Sequence, residues 1–320
     1  MMNHHGGAAG PWLPSATCTV DHCLPAAPRT AGAARVALRA AGAAAVLCVG
    51  ALCAPLCACA GRRARYALVR LWSRTLLRAL GVRLRVRGHR GSGPALVVAN
   101  HISWLDVVVL AAVSPGRMLA KAEVGRYPVI GALARAAGTV FIERQRLKEL
   151  PAAVDRVARA LWEGATVVAF PQGTTWCGQR QGPFRAAVFD AAVRTAVPVR
   201  PVALSYRQPG FAPSTVAAFV GDDALPRSLR RVIGAVELSV RAELLPPVRP
   251  SAHPSAGNHP SAGLDSSAVQ GAGACGPEVG NERCGRRAAR RSLAQLTTDL
   301  VVTPRGETDY AREHDRAPSG

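Results

Sequence analysis

The feature that most constrains this chain is a pair of short runs that are apolar throughout, residues 95–99 (ALVVA) and 165–170 (ATVVAF). A strand with one wet face alternates apolar and polar residues. A run without polar positions has both faces covered, the condition of a strand in a parallel sheet packed between helices. Residues 82–86 instead alternate apolar residues with Arg, the pattern of a half-exposed strand. Further strands are expected at 117–120, 139–142, 199–205, 215–220 and 237–244. Helical periodicity falls between them, at 107–113, 130–137, 151–163 and 184–195. Strands alternating with helices of about ten residues predict an α/β fold, with a mostly parallel central sheet flanked by helices. Wholesale disorder is excluded by the apolar runs.

Ahead of this pattern lies an apolar anchor. Residues 40–61 carry no charge. As a helix rising 1.5 Å per residue they match a hydrocarbon core of about 30 Å. No other uncharged apolar run is as long, which excludes a multi-pass membrane protein. Pro55 interrupts the run, so it either spans or lies as a re-entrant or interfacial hairpin. Residues 61–90 then hold ten arginines and no acidic residue, half of a net charge of +20. Arg35 and Arg39 precede the run, and Arg62, Arg63 and Arg65 follow it. The heavier basic side predicts a cell-membrane protein with everything after residue 61 on the cytoplasmic face. The rival reading is a signal peptide cleaved at Ala58-Cys59-Ala60. The length of the run, the long stretch before it and the arginines after it oppose cleavage. Residues 62–80 read as a basic amphipathic helix. Arg70, Arg74 and Arg78 recur every four residues, opposite Leu68, Leu71, Trp72 and Leu76.

The expected organisation is a disordered tail (1–39), the hydrophobic membrane segment (40–61), the basic helix (62–80), the α/β domain (81–245), a flexible Ser/Ala/Gly/Pro-rich linker (246–285), a basic helix (286–300) and a polar tail (301–320). A basic face suits nucleic acid or anionic lipid. The arginine clusters lack interleaved aromatics and no DNA-binding motif is present, so membrane lipids are the expected partner and nucleic acid is not. Of nine cysteines, Cys48, Cys53, Cys57 and Cys59 lie in the apolar run, and Cys177 lies in the domain as a packed thiol. No Cys/His spacing fits a metal site, so no metal is expected. There is no G-x-S-x-G nucleophile elbow and no phosphate-binding glycine loop.

Chemistry is concentrated in Asn100-His101-Ile102-Ser103-Trp104-Leu105-Asp106, at the end of the first buried run. In open α/β sheets ligands bind at the carboxyl ends of the strands. Histidine suits proton removal from a hydroxyl near neutral pH, and a carboxylate on its other ring nitrogen fixes the tautomer. On a regular helix His101 and Asp106 would point about 140° apart. The pair therefore meets only if His101 lies on the turn before the helix. Ser103-x-x-Asp106 has capping-box spacing, which also leaves open that Asp106 merely caps.

Four ordered motifs resemble those of the lysophospholipid acyltransferase family, of the 1-acylglycerol-3-phosphate O-acyltransferase type. They are N-H-x-S-x-x-D at 100–106, GTVFIER at 138–144, FPQGT at 170–174 and VPVRPV at 197–202. The resemblance covers about residues 64–245. It implies transfer of a fatty acyl group from acyl-CoA or acyl carrier protein to the free hydroxyl of a lysophospholipid. The product it implies is phosphatidic acid, from 1-acylglycerol-3-phosphate, with another lysolipid or an aminolipid as the alternative acceptor. It implies no cofactor beyond the thioester co-substrate. His101 would be the base and Asp106 its partner. Arg144 and Lys121 would hold the acceptor phosphate, and Gln172, Gly173 and Thr174 would contact the headgroup. Gln172 departs from the family pattern, which has Glu there. That exchange puts the acceptor in question, and a catalytically decayed membrane-binding homologue is the third reading.

Overall fold

The computed structural model describes residues 15–25, 30–143, 147–210, 213–250 and 281–302. Its helices are α1 (Val20–Cys23), α2 (Ala33–Cys59), α3 (Arg62–Ala79), α4 (Leu105–Val113), α5 (Pro128–Ala136), α6 (Leu150–Trp162), α7 (Phe189–Thr195), α8 (Leu225–Gly234) and α9 (Asn281–Val302). The strands are β1 (Arg83–Arg87), β2 (Leu96–Ala99), β3 (Arg117–Lys121), β4 (Val140–Ile142), β5 (Val167–Ala169), β6 (Val199–Arg207) and β7 (Ser239–Leu244). They form one seven-stranded sheet in the order β1-β7-β6-β2-β5-β3-β4. Every neighbouring pair is parallel except β6 and β7. The two runs that are apolar throughout are the adjacent central strands β2 and β5, both buried along their length. Two apolar layers cover the sheet. One holds Leu77, Leu105, Val109, Leu110, Tyr206 and Leu238; the other holds Val157, Leu161, Phe189, Ala192 and Leu293.

Of the expected N-terminal tail, residues 1–14 and 26–29 lie outside the described residues. Within the expected tail, residues 15–25 pack against the domain with Cys18 buried, and Thr30 bridges Ala235. The apolar helix begins at Ala33, and Pro55 lies inside it rather than breaking it. A helix is stabilised chiefly by the face it packs, and the buried residues of α2 are the small Ala43, Gly50 and Ala54. A Cβ at Gly50 would overlap the Trp72 indole, whose Nε1–H donates to the Val46 carbonyl at 2.9 Å. Arg39 donates to the carbonyls of Ile233 and Ala235 at 2.7 and 2.8 Å, which pins the start of α2 to the end of α8. Thus α2 and α3 form a hairpin that lies along the domain, with α2 also touching α5. In α3 the buried stripe is Ser73, Leu76 and Leu77. Leu68 and Leu71, like Leu52 and Leu56 of α2, are exposed apolar residues, while Arg70 and Arg74 are half-buried. The expected division into one arginine face and one leucine face is therefore not the one observed.

Three further expectations change. Residues 215–220 form a buried turn instead of a strand, because Arg231 reaches across to the carbonyls of Val216 and Ala218 and to Asp223. That arginine belongs to α8, whose closely spaced arginines hid its helical period. Residues 184–195 contain a short 3₁₀ turn (Ala186–Val188) before α7. Residues 246–250 remain attached, with Val248 bridging Val199, and the basic helix starts at Asn281. It buries Leu293, Ala294, Thr297 and Val301 in the second apolar layer, so it is part of the domain's packing. The rest of the expected linker and the final tail lie outside the described residues.

Candidate active site

The site is built at the carboxyl ends of β2 and β5, alongside the last residues of β6. After Ala99 the chain leaves the sheet through Asn100. The Asn100 side chain imitates a further ladder step, donating to the Leu204 carbonyl at 2.9 Å and accepting from the Leu204 N–H at 2.8 Å. This holds the exit of β2 to β6 and delivers His101 onto the turn ahead of α4.

The His101 Nδ1 lies 3.0 Å from Asp106 Oδ2. The geometric condition set by the spacing is met because α4 begins only at Leu105. The same Oδ2 accepts the backbone N–H groups of Ile102 (2.6 Å) and Ser103 (2.8 Å). Capping and histidine pairing are therefore performed by one carboxylate at once. Its other oxygen accepts the Tyr206 hydroxyl at 2.6 Å. Asp106 is fully buried, whereas 17% of the His101 side chain remains exposed. Burial, then the adjacent carboxylate, holds the Tyr206 phenol well above its ordinary range, so it stays a proton donor. The bond to Asp106 fixes the tautomer with hydrogen on Nδ1 and leaves Nε2 as the basic nitrogen. The Phe170 ring stacks on the imidazole at 4.0 Å between centroids, 14° from parallel. Ser103 offers no nucleophile: it is fully buried and its hydroxyl accepts from the Leu105 N–H.

Gln172 has a different role from the headgroup contact expected of it. It is 3% exposed, and both ends of its amide are engaged within the protein. Oε1 accepts the His101 N–H at 2.6 Å, and Nε2 donates to Gln181 Oε1 (3.0 Å) and the Gly182 carbonyl (2.9 Å). It braces the His101 turn against the 181–182 loop. Gly173 has φ +76°, a conformation that favours glycine, and its N–H closes a turn onto the Phe170 carbonyl. Thr174 is half-buried at the same edge. Lys121 is exposed at the carboxyl end of β3, two strands from β2. Arg144 lies outside the described residues. The neighbouring Thr175 hydroxyl donates to the Phe219 carbonyl, and the Trp176 N–H donates to the His101 carbonyl.

Tyr206 escaped the sequence reading, although a signal for it exists. In β6, Val202, Leu204 and Tyr206 alternate onto a buried face. A tyrosine there, at a strand's carboxyl end, needs an acceptor for its hydroxyl. Away from the β2–β5–β6 edge, Arg65, Arg117, Arg156, Arg159 and Glu163 line a cavity of about 400 Å³ beside β4.

Among the described residues no hydroxyl or thiol is hydrogen-bonded to His101, and an imidazole oriented by a buried carboxylate is a layout suited to activating a substrate's own hydroxyl. The comparisons specify the class. A family model described as Acyltransferase matches residues 82–205. The lyso-ornithine lipid O-acyltransferase of Pseudomonas aeruginosa is 38% identical over 205 residues, 63% of this chain and 73% of that protein. The 1-acyl-sn-glycerol-3-phosphate acyltransferase of Neisseria meningitidis is 34% identical over 174 residues, 54% of this chain and 68% of that protein. The crystal structure of PlsC, the 1-acyl-sn-glycerophosphate acyltransferase of Thermotoga maritima, has the same fold. It superposes with a TM-score of 0.55 at 17% identity, covering 86% of this chain and 97% of that one. The chain belongs to the acyltransferase family.

Proposed function

We propose that this enzyme transfers a fatty acyl group from a thioester, acyl-CoA or acyl carrier protein, to the free hydroxyl of a lysolipid. The observation that carries the reading is the His101–Asp106 pair at 3.0 Å, with the imidazole partly exposed above a buried carboxylate. In this reading Nε2 takes the hydroxyl proton as the acceptor oxygen attacks the thioester carbonyl. The C–O bond forms and the C–S bond breaks. The thiolate then leaves with the proton returned by the imidazolium, which Asp106 stabilises meanwhile. No acyl-enzyme is required.

The expected acceptor is 1-acylglycerol-3-phosphate, giving phosphatidic acid. Lys121 at the end of β3 and the Arg144 position in the second motif would supply cations for its phosphate. The cavity with four arginines and one glutamate suits phosphate groups of the thioester donor. A second reading, a lyso-ornithine lipid as acceptor, is favoured by the 38% and 36% identity to relatives carrying that name. Incubating the purified protein with acyl-CoA and both lysolipids, followed by lipid mass spectrometry, separates the readings. Acylation of neither, by folded protein, would remove the enzymatic proposal for these acceptors.

The membrane is engaged through the hairpin. Leu38, Val49, Leu52, Leu56, Leu68 and Leu71 give it an exposed apolar surface. The α2 helix has the length and hydropathy to cross a bilayer. However, its contacts with α3, α5 and α8 along one side favour lying in the interface with the arginines near the headgroups. The face engaged would be the cytoplasmic one, where anionic lipid and thioester donors are available. Protection of the domain from external protease in intact cells tests this assignment.

A further inference from the structure

Three cysteines that take no part in the proposed transfer converge from opposite regions of the sequence. Cys18 and Cys23 lie beside and at the end of α1, and Cys177 follows the Phe170–Thr174 turn, more than 150 residues later. Their sulfur atoms all lie within 4.8 Å of one another. Cys18 and Cys177 are 2% and 1% exposed, and Cys23 is half-buried. Zinc–thiolate bonds are about 2.3 Å, so the sulfurs of a tetrahedral zinc site stand roughly 3.8 Å apart. The observed cluster is close to that arrangement before any ion draws it in.

The surroundings give such a site a purpose. A helix of four residues cannot sustain itself, since nucleation costs more than one turn returns. Segment 15–25 also pairs with no strand of the sheet. Yet it is seated against residues 219–221, where a Cβ at Gly221 would come within 3.4 Å of the Cys18 carbonyl oxygen and the Phe219 N–H donates to the Ile102 carbonyl at 2.9 Å. The loop bearing Cys177 is itself tied to the reacting histidine, through the Trp176 N–H on the His101 carbonyl at 2.8 Å. The cluster joins the two. Local spacing could not reveal it, because one ligand comes from a distant part of the chain.

The geometry points to a Zn²⁺ site made by the Cys18, Cys23 and Cys177 thiolates, with a solvent molecule completing the tetrahedron on the side of half-exposed Cys23. The ion would staple the segment preceding α2 to the loop behind His101. Thiolate donors select a soft or borderline cation over magnesium or calcium. A fixed Cys177 loop would in turn hold the backbone of the catalytic turn.

The test uses the full chain, purified in detergent without chelator under reducing conditions. Elemental analysis should find close to one Zn²⁺ per chain. Cys23→Ser, the half-exposed position, should lower that content at least several-fold while the protein stays folded, and Cys18→Ser and Cys177→Ser should do the same. Cys53→Ser, on the exposed face of α2, should leave it unchanged. Titrating metal-stripped wild type with Cd²⁺ should raise a thiolate-to-metal charge-transfer band saturating at one equivalent. That band should be lost in Cys23→Ser and kept in Cys53→Ser. Chelation should lower the Tm of the wild type but not of Cys23→Ser. The proposal is overturned if reduced, folded wild type carries no zinc and yields no Cd²⁺ band. It is equally overturned if Cys53→Ser lowers the zinc as much as Cys23→Ser, or if peptide mapping finds a Cys18–Cys177 disulfide as the native state. None of these readouts depends on acyl transfer, so failure of the acceptor assignment leaves the zinc result interpretable.

Discussion

The β2–β5–β6 edge and the α2–α3 hairpin are stabilised in opposite ways. At the edge, one buried carboxylate accepts four donors, from His101, Ile102, Ser103 and Tyr206. Removing the Tyr206 hydroxyl leaves the buried Oδ1 without a donor, at about 1–3 kcal/mol, whereas Oδ2 keeps the Ile102 and Ser103 N–H groups when the imidazole is removed. The hairpin depends on close approach of small residues and on two hydrogen bonds from Arg39, while its outer surface stays apolar and exposed. One region is specified by direction, the other by shape and area. The edge is therefore intolerant of isosteric polar changes, and the hairpin of changes in bulk at its seam or charge on its outside. It follows that chemistry and membrane attachment should be separable by mutation.

The largest effect expected on the chemical side is from His101→Ala. Loss of a general base typically costs about 10²–10⁴ in rate. The imidazole is stacked on Phe170 at the surface of the site, so Tm should change little and vesicle binding not at all. Wild-type turnover in the purified variant would remove His101 from the mechanism. A parallel loss of vesicle binding would break the separation of the two regions. On the hairpin, the double change Leu52→Glu and Leu56→Glu should weaken sedimentation with anionic vesicles by at least tenfold. Burying each leucine is worth about 1.5–3 kcal/mol, and both are more than 70% exposed in the free protein. Specific activity on short-chain, detergent-dispersed substrates should persist. If vesicle binding is unchanged, this surface is not the one that enters the membrane.

The same contrast explains what could be read from the sequence. The central strands were legible because burial on both faces leaves a local mark in residues 95–99 and 165–170. The His101–Asp106 pair was legible because both partners lie within one turn and helix start. Tyr206 was not, since its bond to Asp106 joins positions 100 residues apart. The role of Gln172 was misjudged for a similar reason: its partners, the His101 N–H and the Gly182 carbonyl, are backbone groups that no side-chain pattern announces. The hairpin was legible in composition but not in orientation. Whether Leu68 and Leu71 face in or out depends on where Gly50 lets Trp72 dock, a matter of tertiary shape.

Tyr206→Phe sharpens the comparison from inside the site. Phenylalanine fits the cavity but leaves Asp106 Oδ1 without a donor. A loss of about 1–3 kcal/mol in stability is expected, read as a lower denaturation midpoint at unchanged m. Turnover should fall much less than in His101→Ala, because Nδ1 retains its bond to Oδ2. The phenol's raised pKa adds a pH signature. A group raised in the folded state contributes stability below its unfolded value, near 10, and loses it as pH climbs further. The wild type should therefore lose stability above about pH 10 more steeply than Tyr206→Phe. Equal alkaline profiles would mean that the hydroxyl is not buried on Asp106.

The smallest effect expected is also the one that bears on substrate choice. Gln172→Glu restores the residue typical of the family at a position whose surroundings here are complementary to an amide. The Glu can still accept the His101 N–H through one oxygen. Its other oxygen would face the Gly182 carbonyl, where Gln172 now donates at 2.9 Å. An ionised carboxylate there meets an acceptor with an acceptor. The variant should be less stable than wild type at neutral pH by at least about 1 kcal/mol, because the Gly182 carbonyl and Gln181 Oε1 lose their donor and face a buried charge. The clash disappears when the carboxyl is protonated, because its O–H can then donate to Gly182. Its folded pKa is thus expected above the ordinary value of about 4.3, and a raised group stabilises the protein below that value. The deficit should accordingly shrink as pH falls toward about 4. Denaturant midpoints of both proteins across pH 4–8 measure this directly. A deficit that does not vary with pH would refute the amide brace. A change in acceptor selectivity between 1-acylglycerol-3-phosphate and lyso-ornithine lipid, with stability unchanged at every pH, would instead show residue 172 facing the substrate.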